Sequence, residues 1–111
     1  SGRRRLSPAE SRAVEIIREM CAPEIDPSDI VPRPGQAYTA VLYKDNNRRT
    51  IARLHFSAAT VKNIGLISDG DETKERIENV EDIRSHRDAI RARAAELDPD
   101  AFPAEPDEEQ E

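Results

Sequence analysis

The chain has 111 residues, 17 Lys+Arg against 23 Asp+Glu, a formal charge of −6 and one cysteine. That length holds one domain of ordinary size, and with 36% hydrophobic and 36% charged residues only part of the chain can be packed into a core. No apolar run approaches the roughly 20 residues a membrane-spanning helix needs, and no signal-peptide core is present. Cys21 alone makes neither an internal disulfide nor a thiolate metal cage, so the expectation is a cytoplasmic protein that contacts no membrane.

The net charge hides an uneven distribution. Residues 1–21 carry +2, residues 22–32 carry −3, residues 33–67 carry +5, residues 68–97 carry −3 and residues 98–111 carry −7. An acidic protein therefore contains a locally basic middle. Residues 1–6 read as a basic leader in which Ser1-Gly2 has the look of a cleavage scar, suggesting a fragment of a longer protein.

The predicted elements begin at Ser7-Pro8-Ala9-Glu10, a helix start with a capping serine, proline at the first helical position and a glutamate that closes a capping box. Ala13, Val14, Ile17 and Met20/Cys21 recur at helical spacing, and Pro23 ends a helix over residues 8–21. Pro27, Pro32 and Pro34-Gly35 punctuate an extended connection with at most a short strand near Ile30-Val31. Residues 38–43 and 50–56 read as a hairpin turned by Asp45-Asn46-Asn47. On the return strand Ala52, Leu54 and Phe56 share the inward face, while Ile51, Arg53 and His55 share the outward one. Residues 61–67 are a third strand, Ser68-Asp69-Gly70-Asp71 a turn, and residues 73–77 a charged fourth strand at the sheet edge. Asn79 then caps a second helix with Asp82 at N3 and a stripe of Val80, Ile83, Ile90, Ala94 and Leu97, with Arg87 in the stripe's gap along the core edge. The fold class is α+β: a four-stranded antiparallel meander with an N-terminal and a C-terminal helix over one face, spanning residues 7–97. Residues 98–111, with three prolines and seven acids, form a disordered acidic tail. That tail reads either as a solubilising terminus or as an intramolecular competitor for the basic middle.

The spacing of chemistry-bearing residues argues against a catalytic centre. His55 and His86 are far apart and Cys21 lies on an apolar helix face, so neither a zinc site nor a nucleophilic triad is expected, and no cofactor loop is present. Asp69, Asp71, Glu72 and Lys74 spell the acid-x-Lys element of metal-dependent nucleases, but in a charge-rich turn and without a converging aspartate except Asp45. The basic middle is more informative. Lys44, Arg48 and Arg49 flank a hairpin tip, Arg53 and His55 follow on one strand face, and Lys62 lies on the next strand. Gathered on one solvent-facing patch they form a phosphate-binding surface, with Tyr38 or Tyr43 free to stack on a base. The alternative is a solvated sheet face in which Arg53 pairs with a carboxylate from the second helix.

A family resemblance adds context. The stretch D-N-N-R-x-x-I-x-R-L-x-F at residues 45–56, with residues 25–31, 38–43, 64–67, 75–77 and 80–83, resembles the C-terminal module of predicted restriction endonucleases related to the N-terminal region of the type I restriction enzyme R subunit. Where that family tends to carry an Arg-Asp pair before the first strand, this chain has Arg33-Pro34-Gly35. The resemblance implies a prokaryotic, non-catalytic accessory domain whose parent holds its nuclease site in a separate upstream domain. Its expected partners are DNA, held through Lys44, Arg48, Arg49, Arg53, His55 and Lys62, and the upstream nuclease domain. A docking module or homodimer is the alternative, and an autonomous metal-dependent nuclease the third reading.

Overall fold

A computed structural model of the chain describes residues 5–56 and 62–102. Helix α1 (Pro8–Cys21) starts as the capping pattern dictates: the Ser7 hydroxyl accepts from the Glu10 amide at 3.1 Å, and the Ser7 amide donates to Glu10 Oε1 at 2.8 Å. The second Glu10 oxygen accepts from the Thr39 hydroxyl at 2.6 Å, so a buried carboxylate both caps the helix and ties it to the sheet. Ala13, Val14, Ile16, Ile17, Met20 and Cys21 fill the buried face.

The sheet has five strands rather than the four expected, in the order β1 (Ile30–Pro34), β2 (Thr39–Tyr43), β3 (Asn46–His55), β4 (Lys62–Ser68), β5 (Asp71–Ile77), antiparallel throughout. The additional strand, β1, lies in the stretch expected to be an extended connection with at most a short strand near Ile30-Val31, and it runs on through Pro34. As an edge strand it tolerates Pro32 and Pro34, opposite Val41 and Thr39: the Gly35 amide donates to Tyr38, so the amides at the alternate positions 32 and 34 would face the open edge and none is missed there. The β2–β3 turn falls one residue earlier than expected, on Lys44 and Asp45, both with φ of 56°, the left-handed pair that matches the twist of a two-residue hairpin.

A bulge on β3 corrects a second expectation. Val41 is opposite Ala52 but Leu42 is opposite Thr50, so Ile51 is an extra residue. Ile51 and Ala52 both join the helix-side core, and strict alternation resumes only at Arg53. The same register puts Thr39, Val41, Leu54, Ile64 and Leu66 beneath the helices, while Leu42, Arg53, His55, Gly65, Ile67, Glu72, Lys74 and Arg76 lie on the opposite, open face.

The second helical segment bends out of one geometry into another. Asn79 and Asp82 form the expected capping box, but Val80–His86 is a 3₁₀ helix and only Arg87–Leu97 (α2) is α-helical. Ile83, Ile90 and Ala94 are buried. Arg87 does not lie along the core; its side chain is 56% exposed. Ordered chain extends past Leu97: Tyr43 Oη donates to the Asp98 carboxylate, and Ala101 and Phe102 pack against the core, with the Arg91 guanidinium 5.0 Å from the Phe102 ring centroid. Val61, the first residue of the predicted third strand, and the acidic segment 103–111 lie outside the described residues. Among the described residues no helix is long and apolar enough to cross a membrane.

Candidate nucleic-acid interface

The six basic residues singled out from sequence fall in three places. Lys44, Arg48 and Arg49 are exposed at the tip of the β2–β3 hairpin. Arg48 and Arg49 lie in a second irregular stretch, between the pairings Tyr43–Asn46 and Leu42–Thr50, where the strand register shifts. Lys44 adds a charge at the turn, its ammonium 5.3 Å from the Tyr43 ring centroid. Among the described residues no carboxylate lies within ion-pair distance of these three side chains. The Asn46 side chain accepts from the Arg48 amide at 2.9 Å and stiffens the start of β3.

Arg53 and His55 form a second group, on the open face. Arg53 Nη1 donates to Glu72 Oε1 at 2.7 Å, and His55 Nε2 meets Glu72 Oε2 at 2.6 Å. Glu72 belongs to β5, so its side chain must cross β4 to reach β3. It passes over Gly65, where a Cβ would overlap the Glu72 carboxylate and crowd the Arg53 Cβ at 3.2 Å. Tyr38 closes the group, its ring centroid 5.3 Å from that of His55 and 5.3 Å from the Arg53 guanidinium carbon. Burial pushes the Glu72 carboxyl upward, but the hydrogen bonds from His55 and Arg53 outweigh it and hold the group below the ordinary carboxylate range. Arg53 Nε is buried with no partner. Arg53 is therefore neutralised as the alternative reading anticipated, though by a carboxylate of β5 rather than of the second helix.

Lys62 stands apart from both groups. It lies opposite Ile77 and shares the helix-side face with Ile64 and Leu66. Arg33 is paired with Asp45. The single patch expected from sequence is thus divided, and the hairpin tip holds three of its cations together without an ion-pair partner among the described residues. Glu72 is the residue sequence reasoning missed as a counter-ion. Its one signal was Gly65 inside a predicted strand, a position that often marks close approach of another group.

The remaining candidates are spread out. Tyr43 is buried, and its hydrogen bond to Asp98, reinforced by burial, pushes its phenol up to about 12, so it is not a stacking platform. Burial pushes the Cys21 thiol up to about 11, far from a reactive thiolate. Asp69 and Asp71 are exposed at the β4–β5 turn, whereas Glu72 is turned to the open face against Arg53 and His55. Asp45 pairs with Arg33 at the other hairpin. Among the described residues no three His, Cys, Asp or Glu side chains are grouped to hold a metal ion. His86 is half-buried on the 3₁₀ segment. Comparisons with protein-family models, with curated proteins and with solved structures return no match.

Proposed function

We propose that this domain is a non-catalytic accessory module of a restriction-endonuclease-like protein, and that it helps hold DNA by setting the β2–β3 hairpin tip against the phosphate backbone. The observation that supports this reading is the triplet Lys44, Arg48 and Arg49, exposed on a short hairpin with no carboxylate partner among the described residues. Three exposed cations on one hairpin tip contact backbone phosphates and position a duplex without reading sequence. Arg53 and His55, held by Glu72, and Lys62, on the opposite face, contribute little to it. The parent protein's upstream nuclease domain supplies the chemistry and the remaining contacts.

Three phosphate contacts set a scale: log Kobs falls with log salt at a slope of about −3, and each lost contact removes about 0.9 of it. Titrating the chain with duplex DNA at low and raised salt checks this. Arg48→Glu with Arg49→Glu reduces the slope to about −1 and weakens binding uniformly across sequences. Binding that is absent at low salt, or unchanged by this double variant, overturns the proposal. The docking or dimerisation alternative has less support, since no large hydrophobic side chain is exposed among the described residues and stable self-association draws on apolar area. Sedimentation over a range of concentrations tests it directly.

A further inference from the structure

The fold brings Asp98, four residues before the end of the described chain, to the base of the cationic hairpin. Tyr43, the last residue of β2, donates its hydroxyl proton to Asp98, the residue after α2. One turn earlier on α2, Arg93 Nε donates to the Thr50 carbonyl of β3 at 2.8 Å. The hydrogen bond from Tyr43 holds the Asp98 carboxyl below its usual range, and the Lys44 charge adds to that. Phe102 is packed against the core beneath Arg91, so the last described residue is held at a fixed point. Beyond it, residues 103–111 read Pro-Ala-Glu-Pro-Asp-Glu-Glu-Gln-Glu, with five acids and no base. Nine residues span at most about 30 Å. Arg49 is adjacent to Thr50 and Arg48 is one residue further along β3, a rise of only about 3.4 Å per residue.

We propose that the acidic segment 103–111 docks on the hairpin tip, where Glu105, Asp107, Glu108, Glu109 and Glu111 engage Lys44, Arg48 and Arg49 and compete there with phosphate. Opposite charge and a short tether act together. The tether makes the encounter intramolecular, at an effective concentration of about millimolar, and exposed pairs that are individually weak then compete with a polyanion in solution. The interaction is screened by salt, so inhibition is strongest where DNA binding is strongest. The competition rests on the DNA reading above; the contact itself does not.

The test uses the full chain with a spin label at Gln110→Cys, Cys21 being buried and unreactive. Broadening of the amide signals of Lys44, Arg48 and Arg49 at low salt, lost in about 0.5 M salt and lost with Arg48→Glu and Arg49→Glu, establishes the contact. In the unlabelled chain, neutralising the segment by Glu105→Gln, Asp107→Asn, Glu108→Gln, Glu109→Gln and Glu111→Gln raises affinity for duplex DNA about threefold to tenfold at low salt, the gain shrinking as salt rises. Broadening without any DNA binding keeps the contact and removes the DNA reading. Tip-dependent DNA binding with no broadening and no gain on neutralisation overturns the docking while leaving the DNA reading in place. Broadening that survives the double tip variant also overturns it.

Discussion

Two stretches of β3 carry arginine and have opposite fates. At the tip, Arg48 and Arg49 stand in solvent with no ion-pair partner among the described residues. A few residues on, Arg53 is folded against Glu72 and the Tyr38 ring, with His55 completing the arrangement. Local sequence is equally basic in both. What separates them is strand pairing: Arg48 and Arg49 precede Ala52, the first β3 residue paired with β4, while Arg53 lies opposite Gly65, which in turn lies opposite Lys74, in the middle of the sheet. Arg53 is within reach of the Glu72 carboxylate across β4 and is recruited into the structure, whereas Arg48 and Arg49 have no such partner among the described residues.

Removing Glu72 should have the largest effect on this contrast. Glu72→Ala leaves Arg53 part-buried without its counter-ion and with Nε already unpartnered. It should destabilise the domain by about 1–3 kcal/mol, the residual exposure of both groups keeping the loss below that of a fully buried pair. Arg48→Ala and Arg49→Ala should stay within about 0.5 kcal/mol. Urea denaturation measures all three, and equal losses would erase the distinction between the two regions.

Next comes Gly65→Ala, which displaces the Glu72 carboxylate from its path across β4 and costs about 1–2 kcal/mol. Combining it with Glu72→Ala should cost clearly less than the two separate losses added together, because both act on one arrangement. Full additivity would mean that the glycine serves something other than this crossing.

Acid sharpens the comparison further. The folded Glu72 pKa is depressed, so its contribution is complete above the unfolded value of about 4.3 and is lost as pH falls through the folded value. Stability should therefore drop on acidification through that window, and Glu72→Gln should flatten this part of the profile. Unchanged acid sensitivity in that variant would assign the drop to other carboxylates. The smallest effect is spectroscopic: one tyrosine should ionise only near pH 12, and Asp98→Asn should bring that ionisation down, checked by ultraviolet titration.

Much of the architecture was legible because it rests on local rules. Ser7, Pro8 and Glu10 mark the start of α1, Asn79 and Asp82 mark the second helical segment, and Gly70 with φ of 85° takes the β4–β5 turn. The errors arise where local rules are overridden. Pro32 and Pro34 limited the expectation to a short strand near Ile30-Val31 outside the four-stranded sheet, yet an edge position makes them harmless. Ile51 was assigned outward by alternation, which a bulge interrupts without any sequence mark. The site was half legible. The tip follows from a turn flanked by basic residues, but the Glu72 partnership spans 17 and 19 residues and depends on the register of three strands. No pattern within β3 alone carries that information.

The two margins of the sheet have a consequence for behaviour at high concentration. One is β1, where two of five positions lack an amide proton; the other is β5, whose Asp-Glu-Thr-Lys-Glu-Arg-Ile sequence places a charge at five of seven positions. Neither offers the flat apolar run that seeds cross-β growth. Crowded molecules of this domain are thereby kept from fusing rim to rim into fibrils, even though every strand is laid out in one continuous meander.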